Sequence, residues 1–171
     1  RAFSIVRVLV TGAAGFIGSH LLRTLRERHE VHGLVRSLPN EPWSDGVQWI
    51  EHDLKQPVAG SHLPSKLDAV VHLAQSSNYR DFPAQSQDIF DVNVHSTFQL
   101  LEYARQAGAG CFVYASTGGL YGFSDHEFVE DDPVASVHAD RTNPLSFYFS
   151  SKLAGEQIVT SYQRFFSTVV L

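Results

Sequence analysis

Tyr148 and Lys152 stand four residues apart in Tyr148-Phe149-Ser150-Ser151-Lys152, a spacing that puts a phenol and an ammonium on one face of a helix. A free tyrosine ionises near a pH of about 10. A neighbouring cation favours the phenolate, so a phenol so placed can exchange a proton near neutral pH. Far upstream, Thr11-Gly12-Ala13-Ala14-Gly15-Phe16-Ile17-Gly18 follows the apolar run Val6–Val10 and opens a helical pattern. A strand, a glycine-rich turn and a helix N-terminus together form a site for a diphosphate. Gly12 allows the tight bend, Gly15 the approach of a pyrophosphate, and Gly18 close packing of the helix. Free N–H groups and the positive end of the helix dipole then face the negative charge. One motif can hold a dinucleotide and the other can move a proton.

About 20 residues beyond the glycines, an NAD-binding chain places an acid for the ribose 2′-hydroxyl. The sequence there reads Leu34-Val35-Arg36-Ser37, with no carboxylate. Arg36 suits a 2′-phosphate, through two N–H bonds, so NADP is expected over NAD; the alternative is an arginine that stacks on adenine and ignores the phosphate. The nine histidines offer no pair at metal-ligand spacing within one helix, since His29 and His32 straddle a helix end and a strand, and no metal is expected. His72 lies in an apolar run and reads as a satisfied core histidine. Cys111, the only cysteine, reads as a buried thiol rather than a nucleophile.

These residues need a scaffold, and the hydrophobic pattern supplies one. Strands are expected at Val6–Val10, Glu30–Val35, Val47–Glu51, Asp68–Ala74, Cys111–Ala115 and Thr168–Leu171. Helices are expected at Phe16–Arg28, Ser86–Gln106 and Ser146–Phe165, with Phe90, Val94, Phe98, Leu101 and Ala104 on one stripe of the second. Ser37–Gly46 reads as loop. Alternating strands and helices imply an α/β doubly wound parallel sheet, a Rossmann fold of strand order 3-2-1-4-5-6, with the ligand over the carboxyl ends of the strands. The segment Phe123–Pro144 is long for a connection; it is either a solvated excursion or a loop that touches substrate.

The bulk composition narrows the rest. With 171 residues, 43% hydrophobic and 18% charged, the chain has an ordinary globular composition and length for one domain. A formal net charge of -5 argues against nucleic-acid binding. No apolar run approaches the roughly 20 residues of a membrane span, and a single cysteine suits a reducing, cytoplasmic setting. The sequence holds no methionine and ends in the apolar run Ser167–Leu171, so the chain is expected to be part of a longer protein.

The motifs occur in a telling order: Thr-Gly-x-x-Gly-Phe-Ile-Gly at the first turn, His72-Leu73-Ala74 after the fourth strand, and Asn93 on the next helix. Ser116-Thr117 with Tyr121-Gly122 follow the fifth strand, and then Pro144-x-Ser146-x-Tyr148-x-x-Ser151-Lys152. This run resembles the extended short-chain dehydrogenase/reductases, the nucleotide-sugar epimerase/dehydratase group, over nearly the whole chain. The resemblance implies Tyr148 as the acid/base for a sugar hydroxyl, Lys152 lowering its pKa and holding the nicotinamide ribose, and Thr117 bonding the reacting oxygen with Ser116 beside it. It implies that Phe16 and Ile17 present backbone N–H groups to the pyrophosphate, that Asp53 and Leu54 flank the adenine, that Leu73, Ala74 and Gln75 line the cofactor path, and that Asn93 bonds backbone near the site. It also implies residues 1–171 as the NAD(P)-binding domain, a substrate domain beyond Leu171, and a homodimer built on the helices Ser86–Gln106 and Ser146–Phe165.

On reaction type, 4,6-dehydratases of that group carry an acidic pair after the catalytic threonine, where this chain has Gly118-Gly119. The expectation is therefore a nucleotide-sugar epimerase resembling UDP-glucose 4-epimerase. An NADP-dependent carbonyl reductase or alcohol dehydrogenase is the alternative. A cofactor-binding sensor or scaffold is a reading of another class, and the intact Tyr148–Lys152 pair speaks against it.

Overall fold

The computed structural model describes residues 4–40, 45–58, 62–122, 125, 127–134 and 143–171. Much of the long segment Phe123–Pro144 and part of Ser37–Gly46 lie outside those residues. Six parallel strands form one sheet: β1 Arg7–Thr11, β2 Glu30–Val35, β3 Val47–Glu51, β4 Ala69–His72, β5 Cys111–Tyr114 and β6 Ser167–Val170. Their spatial order is β3-β2-β1-β4-β5-β6, as expected from the alternating pattern. The strand order reverses between β1 and β4, where Thr11 pairs with His72, and a crevice opens at such a point.

Helices cover the sheet. Phe16–Leu25 is α1, Ser86–Phe90 is α2, Ser96–Gln106 is α3 and Ser146–Ser161 is α4. One apolar core joins Leu9, Val70, Leu100, Leu101, Phe112 and Val159, and a second joins Val8, Val10, Leu22, Val31 and Val35. β1 and β2 are buried along almost their whole length, because helices cover a parallel sheet on both faces. Cys111, expected to be buried, is only partly so.

The helical run Ser86–Gln106 is continuous but not uniform, because Asp91–His95 forms a turn of π-helix between α2 and α3. A π turn widens the helix and shifts the phase of everything beyond it. The expected stripe is only partly buried. Leu101 and Ala104 are buried, whereas Phe90 and Phe98 are 48% and 46% exposed. The face turned inward carries Ile89, Asn93, Thr97, Leu100, Leu101 and Ala104. These positions recur at close to 3.6 residues, but Asn93 and Thr97 are polar, so a stripe drawn through apolar residues alone runs along the neighbouring face. Among the described residues, no helix is long and apolar enough to cross a membrane.

Candidate active site

The turn from β1 to α1 is built around two close approaches. Gly12 has φ +65°, and a Cβ there would lie 2.9 Å from the Ala74 backbone nitrogen. The turn thus rests on the chain leaving β4, in a backbone conformation that L side chains avoid. Gly18 sits over the turn itself, where a Cβ would lie 2.3 Å from the Gly12 carbonyl oxygen. Phe16 and Ile17 begin α1, so their N–H groups belong to the first turn, which has no intrahelical partners. Gly15 Cα bears no Cβ facing this turn, and Gly15 N–H donates to Gly12 O at 2.9 Å.

These residues line a cleft of about 550 Å³ over the carboxyl ends of the strands. Gly12, Gly15, Phe16, Ile17 and Gly18 form one wall. Arg36 stands at the end of β2, and Asp53 and Leu54 follow β3. Leu73, Ala74 and Gln75 follow β4, and Ser116 follows β5. The expected cofactor residues are therefore brought together, except for Tyr148 and Lys152 at the cleft edge and Asn93. Asn93 does not line the cleft; it is buried behind it. Its Oδ1 accepts from the Ser76 amide at 2.8 Å, and its Nδ2 donates to Ser151 Oγ at 2.9 Å. Ser151 Oγ in turn donates to the Tyr148 carbonyl at 2.7 Å. The π turn thus presents Asn93 as a tie between the β4 loop and the turn of α4 that carries Tyr148 and Lys152.

A second tie runs beneath the glycine turn. The Ala74 amide donates to Thr11 Oγ1 at 3.2 Å, Thr11 Oγ1 meets His72 Nδ1 at 2.7 Å, and His72 Nε2 meets Thr97 Oγ1 at 3.0 Å. Thr97 spends its own proton on the Asn93 carbonyl at 2.8 Å. Nε2 must then donate, and Nδ1 must accept from Thr11. One neutral tautomer satisfies every partner, and burial, helped by the Lys152 charge, pushes the His72 pKa down to about 3. The expectation of a satisfied core histidine holds. An unfolded histidine protonates near about 6.5, so His72 contributes stability that is full above that pH and falls as the pH drops towards the folded value. The expected loss from this residue between pH ~6.5 and pH ~5 is about 2 kcal/mol. Urea denaturation across that range checks it, and the slope should flatten in His72→Gln.

Tyr148 and Lys152 are buried on the inner face of α4, at the edge of the cleft rather than on its wall. The Tyr148 hydroxyl donates to Gln75 Oε1 at 3.0 Å, and its ring packs against Tyr79 at 5.0 Å and Phe149 at 5.6 Å. Lys152, only 2% exposed, donates from Nζ to the Ala115 carbonyl at 2.6 Å and lies 4.9 Å over the Tyr114 ring. Both partners, Gln75 and Ala115, line the cleft. Burial pushes Lys152 down to about 8, with the Glu156 carboxylate working the other way.

The expectation that Lys152 lowers the Tyr148 pKa is not met in this arrangement. Burial raises Tyr148 above its ordinary value, and the opposing effect comes from a hydrogen bond with Thr117. The lysine is aimed at the Ala115 carbonyl. Thr117 does two jobs: it meets the phenol, and its Oγ1 accepts from the Gly119 amide at 3.3 Å to start the short 3₁₀ turn Gly118–Tyr121.

Sequence reasoning missed several residues. Ser116 donates to the Glu156 carboxylate, which stands one helical turn beyond Lys152 on α4. Lys55 bridges Asp88 at 3.3 Å and Asp53 at 3.9 Å across the cleft edge, and Ser76 Oγ donates to Asp88 at 2.5 Å. The i+4 spacing of Lys152 and Glu156 was a visible signal; the Lys55–Asp88 contact joins distant segments and left none. Among the described residues, no group of three or more histidine, cysteine, aspartate or glutamate side chains is placed to hold a metal.

A parallel sheet of this order, with a glycine turn over its carboxyl edge and a Tyr/Lys pair on the helix before the last strand, defines an extended short-chain dehydrogenase/reductase of the Rossmann type. The chain belongs to the NAD dependent epimerase/dehydratase family, whose model matches residues 8–171. It is 36% identical to dTDP-D-glucose 4,6-dehydratase of Mus musculus over 91% of the chain and 46% of that protein. It is 33% identical to UDP-glucose 4-epimerase of Mycolicibacterium smegmatis over 94% of the chain and 52% of that protein. Among solved structures, a UDP-galactose 4-epimerase superposes with a TM-score of 0.79 at 32% identity, covering 96% of this chain and 54% of that one. UDP-glucuronic acid 4-epimerase from Bacillus cereus, in complex with NAD, gives 0.77 at 29% identity, covering 96% and 55%. The chain spans about half the length of the relatives it matches.

Proposed function

We propose that this chain is the NAD(P)-binding part of a nucleotide-sugar 4-epimerase. The observation that carries the reading is the placement of Tyr148, Thr117 and Lys152 at the edge of the glycine-walled cleft, with no carboxylate after the threonine. The second of the two glycines there has a physical cause. A Cβ at Gly119 would lie 2.3 Å from the Phe149 ring, so the position where dehydratases are expected to carry an acid is filled from α4. Elimination of water has no proton carrier there, whereas epimerisation needs none beyond the tyrosine. The mouse dehydratase, at 36% identity, and the mycobacterial epimerase, at 33%, are too alike in identity to separate the two reactions, and Gly118-Gly119 supports the epimerase.

The cleft fits a nicotinamide dinucleotide, because its turn is held so tightly at Gly12 and Gly18 that backbone amides, not side chains, face the diphosphate position. When bound, that group accepts the C4 hydride of the sugar and later returns it. The chain's residues do the rest. Tyr148 takes the proton of the C4 hydroxyl as hydride leaves, and gives it back when hydride returns to the other face. Thr117 bonds the reacting oxygen. Lys152, charged below a pH of about 8, holds the ribose. Incubating the full-length protein with a panel of nucleotide-sugars tests this. Interconversion of 4-epimers supports it. Net consumption of reduced cofactor, with a one-way product, overturns it in favour of the carbonyl reductase.

We further infer a preference for NADP over NAD, although the Bacillus cereus neighbour is in complex with NAD. Arg36 lines the cleft directly after β2, where a 2′-phosphate would lie. Arg36→Ala is expected to weaken NADP at least about tenfold while changing NAD much less. Calorimetric titration of both cofactors reads this directly, and equal affinities in the parent protein would contradict it. The outward Phe90 and Phe98, on the helical run beside α4, support a homodimer through those helices. Light scattering of the full-length protein should give twice the monomer mass.

A further inference from the structure

We propose that Gln75 is a positioning residue for Tyr148, an amide that partners the phenol in both of its protonation states and sets the pH at which it works. The inference rests on the acid/base reading of Tyr148. Gln75 both lines the cleft and reaches the Tyr148 hydroxyl. Its backbone is clamped from either side. The Ala74 amide is held by Thr11 Oγ1 at 3.2 Å, and the Ser76 amide by Asn93 Oδ1 at 2.8 Å. The Ser76 hydroxyl is bound to Asp88 as well. The side chain therefore leaves a fixed point, and it ends 3.0 Å from a phenol whose ring is itself held by Tyr79 and Phe149.

The choice of an amide has chemical content. Neutral tyrosine has one proton to donate, and here it is spent on Gln75 Oε1. A phenolate has none, and needs donors. Turning the amide end over replaces its carbonyl oxygen with an N–H donor at the same place. Gln75 can thus follow the proton of Tyr148 without any movement of the backbone. A glutamate there could only accept, and its charge would oppose the phenolate. An alanine would leave the phenol to Thr117 alone.

The surroundings agree with a tuned group. Burial raises the Tyr148 pKa, Thr117 lowers it, and Tyr79 adds a small upward push. The charged groups on elements packed around the phenol are Lys152 and Glu156 on α4, Lys55 and Asp88 at the cleft edge, and Arg80 over the Tyr79 ring at 4.7 Å. None of them hydrogen-bonds the phenol, and Gln75 does.

The test is the pH profile of turnover of the full-length protein for Gln75→Glu and Gln75→Ala, with Tyr148→Phe alongside and thermal melting as a control on folding. The limb that reports Tyr148 ionisation should move up by about one pH unit or more in Gln75→Glu. Gln75→Ala should lose about tenfold in kcat, with little change in cofactor KM. Neither change should alter the residual rate of Tyr148→Phe. If both Gln75 variants keep the parent profile while Tyr148→Phe abolishes turnover, the proposal is overturned and the role of Tyr148 stands. If Tyr148→Phe turns over normally, both fall together.

Discussion

Tyr148→Phe in the full-length protein is expected to reduce turnover by about 10²–10⁴-fold while leaving cofactor affinity nearly unchanged. The substitution removes one hydroxyl and two hydrogen bonds, to Gln75 and Thr117. The ring contacts with Tyr79 and Phe149 survive it, so the helix and the cleft edge keep their shape. Of the neighbouring phenols, Tyr114 is buried below Lys152 and pushed well above its ordinary value by burial. Steady-state rates with calorimetric cofactor titration separate the two effects. Parent-like turnover would remove Tyr148 from the chemistry.

Gly18→Ala is expected to cost cofactor affinity about tenfold or more, and stability by about 1–3 kcal/mol. Its new Cβ would lie 2.3 Å from the Gly12 carbonyl and 2.9 Å from Ala13 Cα. Both obstacles are backbone, so relief requires α1 to move off the turn. That movement spoils the alignment of the Phe16 and Ile17 amides. Gly118→Ala is the matched control, because nothing lies within 4 Å of a Cβ there; its effect on cofactor affinity and melting should be small. Equal behaviour of the two variants would mean that the cradle tolerates a side chain.

Much of this was legible in the chain's own pattern, for reasons that can be stated residue by residue. Glu30–Val35 and Val47–Glu51 are strands with the expected ends, since β-branched and apolar runs there are bounded by turn residues. The order of strands followed from alternation with helices. The glycine turn was legible because its spacing is local. What escaped depends on three-dimensional neighbours. The stripe through Phe90 and Phe98 failed because the inward face carries the polar Asn93 and Thr97, which an apolar pattern passes over. Asn93 bonds backbone near the site, as expected, at the Ser76 amide, but which partners it takes was not legible, since Ser76 and Ser151 lie 17 and 58 residues away. The Thr11–His72 contact spans 61 residues. The direction of the Tyr148 shift was missed because burial, not the nearby lysine, dominates it.

The reversal of strand order between β1 and β4 divides labour as well as space. The residues proposed to face the diphosphate hang from β1 and its helix. The residues proposed to handle protons, Thr117, Tyr148 and Lys152, follow β5 or lie on α4. Two sets of contacts join them: Thr11, bonded to His72 and to the Ala74 amide, crosses from β1 to the chain around β4, and Gln75, Ser76 and Asn93 carry the connection on to α4. Grip and reactivity are in that sense separate modules joined through the chain that leaves β4. An exchange of segments made at the seam would be expected to keep the nucleotide while changing what is done with it, provided that the bridging side chains travel together.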